Sequence, residues 1–566
     1  MASHSDNVVG QSFRQAMAWL HTWFGLVLGF VLMAAFFFGA LSVFDREFDR
    51  WAIPSTRFEP QPMPSYERIL RPAFERMQPT RQAVDAMRPR VEGEMPARFD
   101  TVGSWSAYTT HRDPVLALFA GYQVPNAKDP DELIWADATI DPRDGTPLPD
   151  DSLKVGSGFF YPMHYSLTLD WKNLGIWIVG LSALVMLAAL VSGVVMHRKL
   201  FREIFTFRPG KGGLRSVLDL HNLTGVVALP FHFFFAFTGL LIFSAAYFFP
   251  VGHTQLHDLH DLHAEVEARE LGLPHKRAGV PAGLADVDAM VADAQRRWEA
   301  RGMAGDVGFL VLQHVGDANG YVSVYRAGTD RIALVGQGIH YKASSGELIR
   351  EDPVATPVGK VAEFLTGLHL QHFRHWLLRW LYVLGGLLGA VCIATGFVFF
   401  VEKRKRQHAK QGSQGARIVD ALAVTTVTGM VLAALGILVA NRLLPLDLPA
   451  RGDWERYAFW AVWALALVHA GLRSAPVARG LSNPAWREQC WAIVALALAA
   501  VALNWISTGD HLLRTIGAGY WPVAGVDLAL LATAAVAGAT ATALRRRATA
   551  ARNAPVATRR GETAHA

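Results

Sequence analysis

Long apolar runs alternate with mixed, charged stretches along this chain. A helix crosses a bilayer with about 20 apolar residues. Eight runs approach that length: 18–44, 172–197, 222–249, 377–401, 418–441, 457–473, 488–506 and 521–544. Two long mixed stretches, 45–170 and 250–375, separate the first run from the second and the third from the fourth. Both are rich in Pro and Gly and predict two small folded α+β domains. In the second, the pattern predicts a helix over 284–301 and strands over 307–315, 320–326 and 332–342. Ile140-Asp141-Pro142-Arg143-Asp144-Gly145 lies about 201 residues before Tyr341-Lys342-Ala343-Ser344-Ser345-Gly346. Each reads as a strand leaving through a tight glycine turn.

The runs also repeat in detail. Leu20-His21-Thr22-Trp23-Phe24-Gly25 matches Leu220-His221-Asn222-Leu223-Thr224-Gly225, and Gly39-Ala40-Leu41 matches Gly239-Leu240-Leu241 at the same offset of 200. The repeating unit is helix, outer domain, helix, used twice in one membrane orientation. Parallel repeats of this kind are related by an axis along the membrane normal. The expected architecture is a polytopic α-helical membrane protein with a duplicated four-helix core and four appended helices. The first repeat is 1–197, a basic loop 198–217, the second repeat 218–401, a linker 402–417, the appended helices 418–544 and a disordered tail 545–566.

Composition agrees with a membrane protein: 51% of residues are hydrophobic and 18% charged. The net charge of +6 is too small to argue for nucleic acid, and its placement matters more. Arg198, Lys199, Arg202, Arg208, Lys211 and Arg215 follow the second run. Lys403, Arg404, Lys405 and Arg406 follow the fourth, and Arg545, Arg546 and Arg547 the eighth. The positive-inside rule puts these clusters, and both termini, in the cytoplasm and the two mixed stretches outside. Cys392 and Cys490 both fall in apolar runs, so no disulfide framework is expected. The first run is too long for a signal peptide and is expected to be retained.

An ionisable residue inside a spanning helix marks a functional hypothesis. The core runs hold His21, His197, His221 and His232, while His164, His369, His372 and His375 sit where the second and fourth runs begin on the outer side. Neutral imidazole is an axial ligand of haem iron. A bis-histidine b-type haem needs two imidazoles from different helices at one depth. His21 and His221 meet this on the inner side, with His197 as a competitor. His164 and His369 are equivalents on the outer side at an offset of 205. His232 competes there, because its 11-residue spacing from His221 puts both on one helix face about 16 Å apart. Gly25, Gly225, Gly193 and Gly396 leave room for close helices or a macrocycle. The plain alternative is interfacial histidines bonded to backbone or lipid headgroups.

His253, His257, His260 and His263 form a second cluster beside Asp258 and Asp261. Spacings of four and three can place imidazoles on one helical stripe able to chelate a metal. An amphipathic juxtamembrane helix is the alternative. No glycine-rich dinucleotide fingerprint, Walker A sequence or nucleophile elbow is present. If the chain moves electrons, the reductant must come from a membrane quinol or a separate reductase protein.

These residues resemble the PepSY-associated transmembrane-helix proteins, also called iron-regulated membrane proteins. The likeness rests on Leu20-His21-x-x-x-Gly25, Leu220-His221-x-x-x-Gly225, Phe38-Gly39, Thr238-Gly239, Ser192-Gly193, Thr395-Gly396 and the domain ends near Gly145 and Gly346, over residues 1 to about 405. The first copy departs from the second in having Phe38 where the second has Thr238, and residues 418–544 extend past the four-helix core. Some members are similar to inner-membrane reductases that carry two haems and reduce ferric siderophores in the periplasm. The resemblance implies that role here, with iron released as Fe(II). The rivals are a non-enzymatic module whose outer domains bind a protein, peptide or metal ligand, and a transporter. The transporter finds few acidic residues within the runs; Asp527 is the main one.

Overall fold

The computed structural model describes residues 2–91, 94–125, 127, 132–148, 154–196, 213–243, 272–411, 414–474 and 483–553. His197, His253, His257, His260 and His263 lie outside them.

The first apolar run is not one straight helix. It forms α1 (Ala2–Val27) and α2 (Gly29–Ser42), bent by 61°. A charged amphipathic helix, α3 (Asp45–Ala52), follows at once. The outer segment then runs to α4 (Tyr161–Tyr165), and α5 (Leu174–Met196) returns through the apolar layer. The second half repeats the order with α6 (Gly213–Val227) and α7 (Leu229–Ile242), again bent by 61°. After α8 (Val287–Ala300) come α9 (Pro357–Leu370) and the long α10 (Trp376–Lys410). Pro230 at the start of α7 lacks the N–H that a continuous helix would use, which accounts for the second bend. The first bend has no proline. Gly29 sits there, with Phe397 so close that an added Cβ would meet its ring at 3.1 Å.

The appended helices are α11 (Gly415–Val424), α12 (Met430–Leu443), α13 (Arg451–Arg473), α14 (Pro484–Thr508) and α15 (Trp521–Asn553). A π-helical turn, Thr425–Gly429, joins α11 to α12. Among the described residues five helical stretches are long and apolar enough to cross a membrane, and up to seven if each bent pair is one span. The predicted run 457–473 falls within α13 (Arg451–Arg473), a 23-residue helix that opens with Arg451, Asp453, Glu455 and Arg456 and is not among those stretches.

The two outer segments are not two separate domains. Their strands make one seven-stranded antiparallel sheet, in the order β3-β2-β1-β4-β5-β6-β7. The first half supplies β1 (Val102–Tyr108), β2 (Leu116–Gln123) and β3 (Leu133–Ile140). The second supplies β4 (Val307–Gln313), β5 (Tyr321–Arg326), β6 (Gly338–Lys342) and β7 (Leu348–Glu351). The halves meet where β1 pairs with β4, Trp105 opposite Leu312 and Ala107 opposite Leu310. Alone, the meanders would expose β1 and β4 as edges, and the pairing covers these two. One face of the sheet buries Trp105, Leu118, Leu312 and Val324 under α8 and the short helices near residue 70. Asp288 at the start of α8 accepts from Ser65 Oγ (2.6 Å) and the Tyr66 amide (2.7 Å), so the second half caps a helix of the first. Gly145 and Gly346 both adopt positive φ (+76° and +74°) at the turns leaving β3 and β6.

Candidate functional site

The bends in α1/α2 and α6/α7 bring four histidines into two pairs. His21 on α1 faces His221 on α6, with ring centroids 6.2 Å apart. His164 on α4 faces His369 on α9, with centroids 6.1 Å apart. Each pair takes one imidazole from each half of the chain. The first pair lies at the end of the bundle where α10 runs into Lys403 and Arg404, and the second at the end that carries the sheet.

Each ring is oriented by a neighbouring helix of its own half. His21 Nδ1 donates to the Ala189 carbonyl (2.9 Å), His221 Nδ1 to the Cys392 carbonyl (2.7 Å) and His164 Nδ1 to the Ala35 carbonyl (2.8 Å). A carbonyl only accepts, so the proton sits on Nδ1 and Nε2 carries the lone pair. His369 Nδ1 instead meets the Thr238 hydroxyl at 2.7 Å. That hydroxyl gives its own proton to the Phe234 carbonyl (2.6 Å), which fixes the same tautomer. A glycine lies against each ring. An added Cβ would come within 3.4 Å of His21 at Gly193, 3.3 Å of His221 at Gly396, 2.8 Å of His164 at Gly39 and 3.4 Å of His369 at Gly239. The paired glycines of the sequence motif are the floor on which the imidazoles rest.

Two imidazoles that share one metal ion, each about 2 Å from it, have ring centroids about 6 Å apart. Both pairs have that separation. The His21/His221 pair lines a cavity of about 340 Å³ between α1, α5, α6 and α10. Gly25, Gly225, Gly193 and Gly396 are on its wall, and Lys403 and Arg404 are at its charged end. His232 does not pair with the sheet-side histidines. It lines the same cavity, is 2% exposed and has no hydrogen-bond partner at Nε2. Its ring stands edge-on to Phe36 at 5.4 Å. These features fit a planar, mostly apolar group with carboxylates at one edge, as haem has. Among the described residues no group of three or more His, Cys, Asp or Glu side chains is arranged to hold a metal ion.

Between the sheet-side pair and the sheet lies a layer of buried charge that the sequence reading passed over. Arg112 holds Asp45 at 2.6 Å, Arg46 bridges Asp45 and Asp113, and Arg379 bonds Glu47 at 3.1 Å. Burial alone would raise the Asp45 pKa, but Arg112 and Arg46 outweigh it and hold it at about 2. Asp49 receives less help, and burial pushes it up to about 6 despite Arg46. Burial, with Arg112 nearby, lowers His372 to about 4, so it is neutral at pH 7. The signal was present in Asp45-Arg46-Glu47-Phe48-Asp49-Arg50, a charged turn placed directly after an apolar run.

The appended helices dock on the first half through further buried polar contacts. Trp51 Nε1 donates to Asp527 Oδ1 (2.8 Å), and Arg57 bonds Asp510 (2.6 Å), Asn504 (2.9 Å) and the Trp51 carbonyl (2.7 Å).

An uncharacterized protein of Pseudomonas aeruginosa is 28% identical over 389 residues, which cover 65% of this chain and 90% of that protein. The sequence pattern of the PepSY-associated TM region matches residues 18–403, the stretch that carries both bent helix pairs, the whole sheet and all four paired histidines. The chain belongs to the PepSY-associated TM region family.

Proposed function

We propose that this protein is a haem-containing membrane oxidoreductase that passes electrons across a bacterial inner membrane to a ferric siderophore outside it. The reading is carried by one observation: two imidazole pairs at metal-sharing separation, all four rings fixed with Nε2 as the lone-pair nitrogen. His21 and His221 would hold an inner haem b, and His164 and His369 an outer one. His232 is the unpaired third imidazole of the inner cavity. Haem bound at these positions supplies one-electron transfer. The chain's own residues orient the imidazoles through Nδ1, keep the cavity apolar and offer Lys403 and Arg404 to carboxylates. Hydrogen bonds of this kind at the far ring nitrogen set ring orientation and ligand basicity.

The orientation follows from the basic clusters: both termini and Lys403–Arg406 cytoplasmic, the sheet periplasmic. The two halves are copies of one helix–strands–helix unit. The electron donor is a quinol or a separate reductase. Reduction weakens a ferric chelate because its hard oxygen ligands suit Fe(III) better than Fe(II). The reduced-minus-oxidised spectrum of the detergent-purified protein, with a pyridine haemochrome count, tests the reading. Two b haems per chain are expected, falling to about one in His21→Ala or His369→Ala. A colourless protein from haem-replete cells would overturn it in favour of a binding module.

A further inference from the structure

A second cavity, of about 90 Å³, opens between α3, the start of β2 and the segment that leads into α4. Arg46, Arg50, Lys154, Thr56, Ser157 and Tyr108 are on its wall. Arg50 is the unusual member. It is 7% exposed, has no carboxylate within ion-pair distance among the described residues, and leaves Nε without a partner. Nη2 donates to the Arg112 carbonyl (2.8 Å), and the Tyr520 hydroxyl lies beside the guanidinium. Among the described residues Lys154 has no carboxylate within ion-pair distance and reaches the Thr139 hydroxyl at 3.3 Å. The two acids on the wall already have partners of their own. Asp49 accepts from the Gly156 and Ser157 amides (2.8 and 3.2 Å), and Asp113 binds Arg46 and the Thr110 hydroxyl. A buried guanidinium with an unmet donor is costly unless something negative meets it.

We propose that this cavity binds one small oxyanion, a carboxylate or phosphate group, with Arg50 and Lys154 as its cationic partners. Its place suggests whose group it is. Ser157 on the wall and His164 lie on one continuous helical segment, Gly156 to Tyr165, seven residues apart, or roughly 10 Å along the axis. A ferric chelate with a free carboxylate would be anchored beside the outer imidazole pair; this second step rests on the reductase reading.

The site is tested on the purified full chain with inorganic phosphate and acetate, titrated by calorimetry. Saturable binding is expected, weakened about tenfold or more in Arg50→Gln and, as a milder variant near the surface, in Lys154→Gln. Absence of binding, or equal binding in both variants, overturns the site. Reoxidation of the dithionite-reduced protein is then followed with ferric citrate and with a neutral ferric trihydroxamate. A raised KM for citrate alone in Lys154→Gln supports the substrate assignment. An equal effect on both chelates, or none, overturns that assignment while leaving a phosphate or acetate site. A colourless protein that still binds phosphate overturns the reductase reading and not the site.

Discussion

His164 rests directly on Gly39: a Cβ at that glycine would stand 2.8 Å from Nδ1 and 3.0 Å from Cε1. Gly39→Ala must therefore push the ring away from the Ala35 carbonyl that orients it. A cost of about 1–3 kcal/mol in stability is expected and, on the proposed di-haem reading, loss of one haem of two. Gly239→Ala, at 3.4 Å from His369, is expected to be milder. Thermal unfolding and haem content of both variants check the order. Equal behaviour of the two would refute the steric account.

Asp49 and Asp45 predict opposite responses to pH. The folded pKa of Asp49, about 6, lies above its unfolded value near 4. Its neutral form is favoured by the fold, so its contribution is full below about pH 4 and is lost as pH rises through 6. That difference is worth about 3 kcal/mol. Asp45, held at about 2, contributes above about pH 4 and loses that contribution as pH falls through 2. Asp49→Asn is expected to flatten the stability profile between pH 4 and 6 while leaving the acid limb. Unfolding temperatures of the full chain from pH 3 to 8 measure both limbs.

Arg57 ties the appended helices to the core through Asp510, Asn504 and the Trp51 carbonyl. Removing one member of a buried, bonded set leaves the others unpaired, at about 3 kcal/mol. Arg57→Ala is expected to loosen residues 415–553 and to speed proteolysis in the linker near 411–414. Unchanged cleavage would show that the apolar contacts of α12, α14 and α15 suffice.

Thr238→Val keeps the volume but takes the acceptor from His369 Nδ1. A buried N–H left unmet costs about 1–3 kcal/mol. On the proposed di-haem reading, the low-spin electron paramagnetic signal of one haem is expected to shift, with the other unchanged.

What could be read from the sequence was local. The motifs Leu20-His21-x-x-x-Gly25 and Leu220-His221-x-x-x-Gly225 encode depth and spacing within a helix, so the pairing of His21 with His221 followed from their offset. The glycine turns at 145 and 346 were legible because positive φ has a residue signature. The joining of β1 to β4 was not, because a strand's pattern states which face is buried and not which strand lies beside it. The predicted strand 332–342 shortens to Gly338–Lys342, and a 3₁₀ turn at Gly328–Asp330, with Asp330 bonded to Arg326, precedes it. The tautomer-fixing acceptors at Ala189, Cys392 and Ala35 are backbone carbonyls, which no side-chain motif announces.

The seam between β1 and β4 has a consequence for how the protein matures. Either half alone presents one imidazole toward each of the two positions, and the second arrives only when the halves join, through β1 and β4 in the sheet and through α2 and α10 in the bundle. Sheet and bundle thus act together as the calliper of a molecule that closes on itself. A ligand that needs both rings reports, by its retention, that the chain has finished assembling.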